Sequence, residues 1–95
     1  MFAVVGTWAM DASMRDHQAA ALPHLVSGVR QNEGFVRGFW CDEVEDPAVS
    51  LTFIVFETLE QACAFRDSVI ANALAQSAVG VGQHGLRIVE VKADA

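Results

Sequence analysis

The order of apolar segments along this chain constrains its fold more than any other feature. A strand-like apolar run comes first, then a helix with one apolar stripe, two strand-like runs, a second such helix and a last strand-like run. The turn between the two central strands is marked by Asp46-Pro47. The chain fills this order once, so we expect a single domain over residues 1–95.

Alternating side chains predict the strands. The first covers Phe2 to Met10, the second Phe35 to Glu45 and the third Ser50 to Glu57. The third leaves hardly any polar surface, which favours a position in the middle of the sheet. We expect a flexible turn over the glycine-rich stretch from Gln76 to Gly85, followed by a last strand from Leu86 to Val91.

Capping signatures and apolar spacing predict the two helices. Ser13 with Asp16, and Thr58 with Gln61, each have the spacing of a capping box. Pro23 lies inside the first helix, where it should produce a kink or loosen the first half. The resulting βαββαβ order is that of a ferredoxin-like α+β sandwich, a four-stranded antiparallel sheet with two helices on one face. Such a fold hosts many unrelated functions.

The apolar content exceeds what a small interior can hide. Apolar residues make up 53% of the chain, whereas a domain of this size buries only roughly 60 to 65% of its unfolded surface. The first strand carries large residues on one face and small apolar residues on the other, so both faces should be covered. The surplus indicates a homodimer interface, a ligand pocket, or both.

Charge and hydropathy exclude several partners. The net charge is −6 and the six cations are scattered, so neither nucleic acid nor an anionic membrane surface is an expected partner. No stretch approaches the roughly 20 apolar residues of a membrane span. The run from Met1 to Met10 lacks the basic leading region of a signal peptide, and we therefore expect a soluble, cytoplasmic protein.

Motifs for nucleotide and metal cofactors are missing. The chain has no GxGxxG, GxxxxGK[ST] or HExxH pattern. His17 and His24 lie seven residues apart, about 10 Å along a helix, which is too far for one metal ion. Cys41 and Cys63 lack metal spacing and are expected to be reduced and packed as small apolar side chains. No cofactor is expected.

Aromatic residues and one arginine are the candidates for a site. Trp8, Trp40 and Phe56 belong to an aromatic surface that faces helices, a partner subunit or a ligand. Arg37 alternates with apolar neighbours, and a cation on such a face needs a carboxylate, a carbonyl or a bound anion. A carboxylate of the chain, Glu57 or Glu90, can also satisfy it.

Three segments carry a recognisable pattern: Gly34 to Trp40, which enters the second strand with Gly-Phe, Leu51 to Thr58, which contains an aromatic strand end, and the helix start Glu60 to Ala62. Together they resemble the antibiotic biosynthesis monooxygenases of the dimeric α/β-barrel superfamily. The likeness covers nearly the whole chain. It implies that two sheets pair into a dimeric α/β barrel with the helices outside, and that a pocket lies between each sheet and its helices.

The resemblance also implies activities. Such proteins include oxygenases that act on aromatic or polyketide-like molecules without a cofactor, and haem-degrading proteins. The haem-degrading members use an Asn early in the first strand, where this chain has Gly6 or Thr7, and a His in the second helix, which has none here. Haem degradation is therefore disfavoured. The cofactor-free oxygenases hold an activated phenolate with Asn, Trp and Tyr side chains, and Asn32, Trp8 and Trp40 are available while Tyr is absent.

Two interpretations stay open. In the first, the protein is a small-molecule oxygenase whose pocket is walled by Trp8, Trp40 and Phe56. Arg37 or His17 then stabilises a substrate oxyanion, and oxygen reacts directly with the electron-rich substrate. In the second, a non-catalytic dimeric domain binds a small apolar ligand or serves as an interaction module, and the same side chains are packing. The enzyme interpretation requires a polar group that reaches into a cavity.

Overall fold

Four strands form one antiparallel sheet. The computed structural model describes all 95 residues, Met1–Ala95. Strands β1 (Phe2–Met10), β2 (Phe35–Asp42), β3 (Val49–Phe56) and β4 (Val81–Glu90) lie in the order β2-β3-β1-β4. The two most continuously apolar strands, β1 and β3, hold the interior positions. The predicted ferredoxin-like α+β architecture and the central position of the third strand are confirmed.

The connections between the strands carry the helices. A one-turn 3-10 helix at Ala12–Met14 leads into α1 (Arg15–Arg30), and α2 (Leu59–Ala71) is followed by the short α3 (Ala73–Ala78). Helix α1 continues through Pro23, so its first half is not unravelled. No helix of the structure combines the length and the apolar character needed to cross a membrane.

One of the two predicted capping boxes is present. At the start of α2 the Gln61 backbone N–H donates to Thr58 Oγ1 at 3.2 Å, and the Thr58 N–H donates to Gln61 Oε1 at 3.1 Å. The expected box of Ser13 and Asp16 does not form. Asp11 instead caps the 3-10 helix, because its Oδ1 accepts hydrogen bonds from the Ser13 hydroxyl and the Ser13 backbone N–H, at 2.7 and 2.9 Å.

Strand β4 begins earlier than the sequence indicates. The stretch expected to be a flexible turn, Gln76 to Gly85, contains the end of α3 and the first half of β4. Val81 already pairs with Met10, because β1 runs on to Met10 and its backbone groups need partners along their full length. The glycines do not prevent this pairing. His84 is the extra residue of a bulge in the β1–β4 ladder.

A second bulge reverses the predicted face of Phe35. Simple alternation places Phe35 with Arg37, but the β2–β3 register shifts between these two residues and leaves Val36 as the extra one. Phe35 therefore pairs with Phe56 on the helix-covered face, with ring centroids 6.3 Å apart in an edge-to-face arrangement. Arg37 pairs with Val55 on the opposite face.

The core is thin, as the chain length implies. Only 10 of the 95 residues are buried, so most of the apolar surplus lies outside the core. The rings of Phe56 and Phe65 join β3 to α2 with centroids 5.1 Å apart. The main buried cluster is made up of Val4, Val29, Ile54, Phe56, Ala62 and Phe65.

The sheet face without helices is apolar and exposed. Phe39 and Phe53 lie directly opposite each other on this face and are 54% and 37% exposed, and Val89 is 40% exposed. Arg37 lies on the same face. Both cysteines are free, but Cys41 is exposed rather than packed. We call this surface, defined by Phe39, Phe53 and Val89, the open face.

Candidate ligand-binding cavity

A cavity of about 930 Å³ opens between α1, the α2–α3 segment and the helix-covered face of the sheet. Its lining is mostly apolar: Leu22 and Leu25 contribute from α1, Val69 from α2, and Trp8 and Trp40 from the sheet. Its volume is at the upper end of the range, roughly 300 to 1,000 Å³, that small-molecule sites occupy. The space suffices for a ligand with several fused rings.

The cavity exists because α1 touches the sheet mainly at its C-terminal end. Val29 is the only buried residue of α1. Leu22 and Leu25 belong to the same apolar stripe but are 41% and 49% exposed, because they face the cavity and not the core. The apolar stripe of an amphipathic helix normally packs on a sheet. Here its first part forms a wall.

Two Gly-x-Trp units build the floor of the cavity. Trp8 follows Gly6 by two residues in β1, and Trp40 follows Gly38 by two residues in β2. A Cβ atom at Gly6 would lie 2.5 Å from Trp8 Nε1, and one at Gly38 would lie 3.0 Å from the Trp40 ring. Each indole thus leans back over the glycine of its own strand. The glycines are required for both rings to lie in this way.

A hydrogen bond fixes the first indole. Trp8 Nε1 donates to Thr52 Oγ1 at 3.0 Å. Thr52 stands opposite Gly6 on one side and opposite Trp40 on the other, so it lies between the two strands that carry tryptophans. A side chain at position 6 would lie between the indole N–H and the threonine hydroxyl, so Gly6 allows this hydrogen bond to form.

A second polar pair lies beside the first. Ser50 donates its hydroxyl to Asp42 Oδ1 at 2.6 Å. Ser50 pairs in register with Trp8 on one neighbouring strand and with Asp42 on the other, and all three side chains line the cavity. Ser50 is the only buried polar side chain of the protein. The floor therefore combines indole surface with hydroxyl and carboxylate groups.

Two further polar residues line the cavity from α1 and its C-terminal end. His24 supplies an imidazole. Asn32 also lines it, but its Nδ2 donates to the backbone oxygens of Gly28 and Val29 at 3.3 and 3.0 Å and caps the helix. The Asn32 side chain is thus held in place by α1 itself.

The structure brings together only part of the predicted site. Trp8, Trp40 and Asn32 line the cavity. Phe56 is completely buried in the core beneath it, and His17 lies on an exposed part of α1 outside the lining.

Arg37 points away from the cavity. It lies on the open face, paired with Val55. Neither candidate carboxylate forms an ion pair with it: Glu90 pairs with Lys92 at 2.8 Å, and Glu57 is in no salt bridge. The only imidazole at the cavity is that of His24, not that of His17.

Sequence reasoning missed the glycines and the hydroxyl residues of the floor. The signal was available, since Gly-Thr-Trp and Gly-Phe-Trp repeat the same spacing in two strands. Ser50 and Thr52 also share the alternation of Ile54, a core position. Two hydroxyl residues on the covered face of a strand indicate polar groups that need buried partners.

The two residues that the resemblance assigns to haem degradation have no counterpart in this chain. The first-strand position of the Asn falls on Gly6 or Thr7, and any side chain at Gly6 would overlap the Trp8 indole. Helix α2 carries no histidine. The cavity residues that α2 does supply include Phe65, Ser68 and Val69, and none of these ligates iron.

No protein-family model matches the chain, and no curated protein does either. Solved structures do match over its full length. A candidate antibiotic biosynthesis monooxygenase from Deinococcus radiodurans is 20% identical, with a TM-score of 0.73 and coverage of 100% of this chain and 94% of the other. SnoaB, a cofactor-independent oxygenase from Streptomyces nogalater, is 12% identical, with a TM-score of 0.72 and coverage of 98% and 94%.

A third match is the heme-degrader MhuD from Mycobacterium tuberculosis, solved with two hemes in its active site. It is 15% identical, with a TM-score of 0.77 and coverage of 100% of this chain and 99% of the other. Identities this low establish a common fold and do not transfer an activity. The chain has the same fold as these solved structures, a ferredoxin-like α+β sandwich.

Proposed function

We propose that this protein binds a small, largely apolar aromatic molecule in the cavity between α1 and the sheet. One observation carries the proposal: an open space of about 930 Å³ has two indoles on its floor and exposed leucines on its wall. Exposed apolar side chains around a concave space favour an apolar ligand, because its binding removes their surface from water. The indoles suit a flat aromatic ring.

Within this function we propose a reaction, the oxygenation of the bound aromatic molecule without a cofactor. The substrate is a cyclic aromatic ketone with a ring methylene group. Transfer of a methylene proton to the carbonyl oxygen converts it to its enol, an electron-rich phenol. One methylene group and one molecule of dioxygen give one carbonyl group and one molecule of water. The substrate carbon is oxidised and loses both hydrogens, one oxygen atom enters the new carbonyl and the other leaves as water. The solved cofactor-independent oxygenase with the same fold supports this class of chemistry.

His24 is the residue proposed to move the proton. Enolisation requires a group that takes a proton from the methylene carbon and delivers it to the carbonyl oxygen, and a histidine side chain can act as both base and acid near neutral pH. His24 is the only histidine that lines the cavity.

A catalytic test uses anthrone, whose enol tautomer is an electron-rich phenol, with His24→Ala as the variant. We expect oxygen consumption equal to the anthraquinone formed, an ¹⁸O label from isotopically labelled dioxygen in the product, and a rate that His24→Ala lowers by roughly 10²-fold or more. His84→Ala is the matched control, since His84 lies on the exposed β4 bulge away from the cavity. A rate no higher than that in buffer would reject the oxygenase.

The alternative function is a non-catalytic binding domain. The same cavity supports this alternative, because a mostly apolar lining can bind a ligand without catalysing a reaction. The two functions differ in one outcome of the anthrone experiment. A ligand that binds saturably without oxygen consumption supports the binding domain.

We also propose that the protein is a homodimer formed through the open face. Phe39, Phe53 and Val89 expose apolar surface there, opposite the helices. A second copy that covers this face would form the α/β barrel implied by the resemblance and remove the apolar surface from water. The cavity lies on the other side of the sheet and stays accessible in such a dimer.

A further inference from the structure

A row of three side chains crosses the cavity floor on neighbouring strands. Asp42, Ser50 and Trp8 are in register on β2, β3 and β1. The Ser50 hydroxyl donates to Asp42 Oδ1 at 2.6 Å, the length of a hydrogen bond from a hydroxyl to a carboxylate. This bond commits the single proton of the serine to the aspartate. Its oxygen keeps lone pairs that can accept another hydrogen bond.

The protein itself does not supply a donor to the serine oxygen. The indole N–H of Trp8, the neighbour in register, is already donated to Thr52 Oγ1 at 3.0 Å. The serine hydrogen bond present in the structure is the one it donates. The Asp42–Ser50 pair is therefore an acceptor site in a mostly apolar lining. An apolar pocket with few placed polar groups uses them to orient its ligand.

We propose that the Asp42–Ser50 pair accepts a hydrogen bond from a hydroxyl group of the ligand and makes the protein selective for hydroxylated aromatic molecules over their O-methyl ethers. This inference rests on the proposed ligand binding in the cavity. Ser50 makes the contact, and Asp42 positions it by holding the serine proton away from the ligand. An ether has no hydroxyl hydrogen to donate, so a bound O-methyl ether leaves the Ser50 oxygen without a hydrogen-bond donor. The negative charge of Asp42 also disfavours the ionised form of the ligand.

Equilibrium dialysis with a matched pair of probes tests the inference. The probes are 2-naphthol and 2-methoxynaphthalene, which differ in the presence of a hydroxyl donor. For the wild-type protein we expect 2-naphthol to bind roughly tenfold or more tightly than its ether, the discrimination that one hydrogen bond to a charge-assisted acceptor supplies. Ser50→Ala should lower this ratio to about one and leave the affinity for the ether nearly unchanged.

The Asp42→Ala variant tests whether Asp42 positions the Ser50 hydroxyl that contacts the ligand. Without the carboxylate the serine hydroxyl can turn and donate to the ether oxygen, so the ratio should also fall toward one. Ser27→Ala, on the exposed side of α1 outside the cavity lining, is the control and should keep the wild-type ratio. Circular dichroism checks the fold of each variant. Since Asp42 is exposed, Ser50→Ala leaves no buried charge.

The outcomes are distinguishable from a failure of the proposed function. If neither probe is retained, ligand binding in the cavity fails and the inference with it. If both probes bind equally to the wild-type protein, binding stands and the inference is overturned. A preference for 2-naphthol that persists in Ser50→Ala or in Asp42→Ala also overturns it, because another group must then accept the hydroxyl.

Discussion

At the scale of single residues, the absence of a side chain at Gly6 allows the Trp8 indole to lie on the cavity floor. A methyl group at this position would lie 2.5 Å from Trp8 Nε1 and 2.7 Å from Thr52 Oγ1. Gly6→Ala should therefore displace the indole, break its hydrogen bond and destabilise the protein by about 1 to 3 kcal/mol, the usual cost of overpacking. We expect a lower urea midpoint and red-shifted tryptophan emission.

Gly28→Ala is the matched control for this change. A Cβ atom at Gly28 meets nothing within 4 Å, and Gly28 lies inside α1, so the same substitution should be neutral or stabilising by up to about 1 kcal/mol. Equal urea midpoints for the two variants would contradict the role assigned to Gly6.

The lining of the candidate cavity could be predicted in part from single residues. The aromatic character of Trp8 and Trp40 indicated pocket walls, and both line the cavity. Alternation correctly places Arg37 on the face of Phe39, but it does not show which sheet face the helices cover, and it cannot foresee that the bulge at Val36 moves Phe35 to the other face. His17 was predicted to act in the pocket, but it lies on α1 outside the cavity lining. The rotation of a helix that stands off its sheet does not follow from its apolar stripe.

At the scale of elements, α1 divides into a wall and an anchor. Leu25 is 49% exposed and faces the cavity, whereas Val29 is buried in the core. Leu25→Ala should cost less than about 1 kcal/mol of unfolding free energy but weaken the binding of 2-naphthol. Val29→Ala should cost about 2 kcal/mol or more. Urea unfolding and dialysis of both variants check the contrast, and a larger stability loss in Leu25→Ala would refute it.

The N-cap residue Asp11, which precedes the 3-10 helix before α1, makes the stability of the protein depend on pH. The side-chain and backbone hydrogen bonds from Ser13 lower the pKa of Asp11 below its ordinary value of 3.8. A carboxyl whose pKa is lowered on folding stabilises the protein above its unfolded pKa, and this contribution is lost as the pH falls through the folded value. The stability advantage of the wild type over Asp11→Ala should hold at pH 7 and shrink below about pH 4.

Urea midpoints at pH 7 and at pH 3 measure the effect of Asp11. Asp94→Ala, in the C-terminal segment after β4, serves as the control for removing one carboxylate. If the difference between wild type and Asp11→Ala is the same at both pH values, the hydrogen bonds to Asp11 do not contribute as described.

The turn into β2 requires a glycine. Gly34 has a φ of 80°, and a Cβ atom there would overlap the Gln61 side chain that completes the capping box of α2. Gly34→Ala should therefore destabilise the fold by about 1 to 3 kcal/mol. Gly82→Ala, where a Cβ atom has ordinary contacts only, should be tolerated. Thermal melting of both variants tests this, and equal melting temperatures would contradict it.

Element types were more predictable than element ends. The alternation of Phe2 to Met10 and the Thr58–Gln61 capping box identify β1 and α2 directly. The start of β4 could not be predicted, because pairing with the far end of β1 overrides the weak preferences of a glycine-rich segment. The early start of β4 is thus a tertiary effect.

At the scale of the whole molecule, the open face should hold two copies together. Sedimentation equilibrium of the wild-type protein should give twice the chain mass of 10.2 kDa. Phe39→Glu places a charge on the exposed ring position of the open face and should shift the protein to monomers. Val44→Glu is the control, because Val44 is already 96% exposed in the loop after β2. A monomeric wild type would reject the dimer.

The cavity itself is expected to bind an aromatic molecule on its tryptophan floor. The chain has only two tryptophans, and both line the cavity, so their two indole N–H signals report on this site alone. An NMR titration of the ¹⁵N-labelled protein with 2-naphthol therefore observes binding where it is proposed to occur. We predict that both indole signals shift saturably with one dissociation constant. Indole signals that stay in place up to the solubility limit of the probe would contradict binding in this cavity.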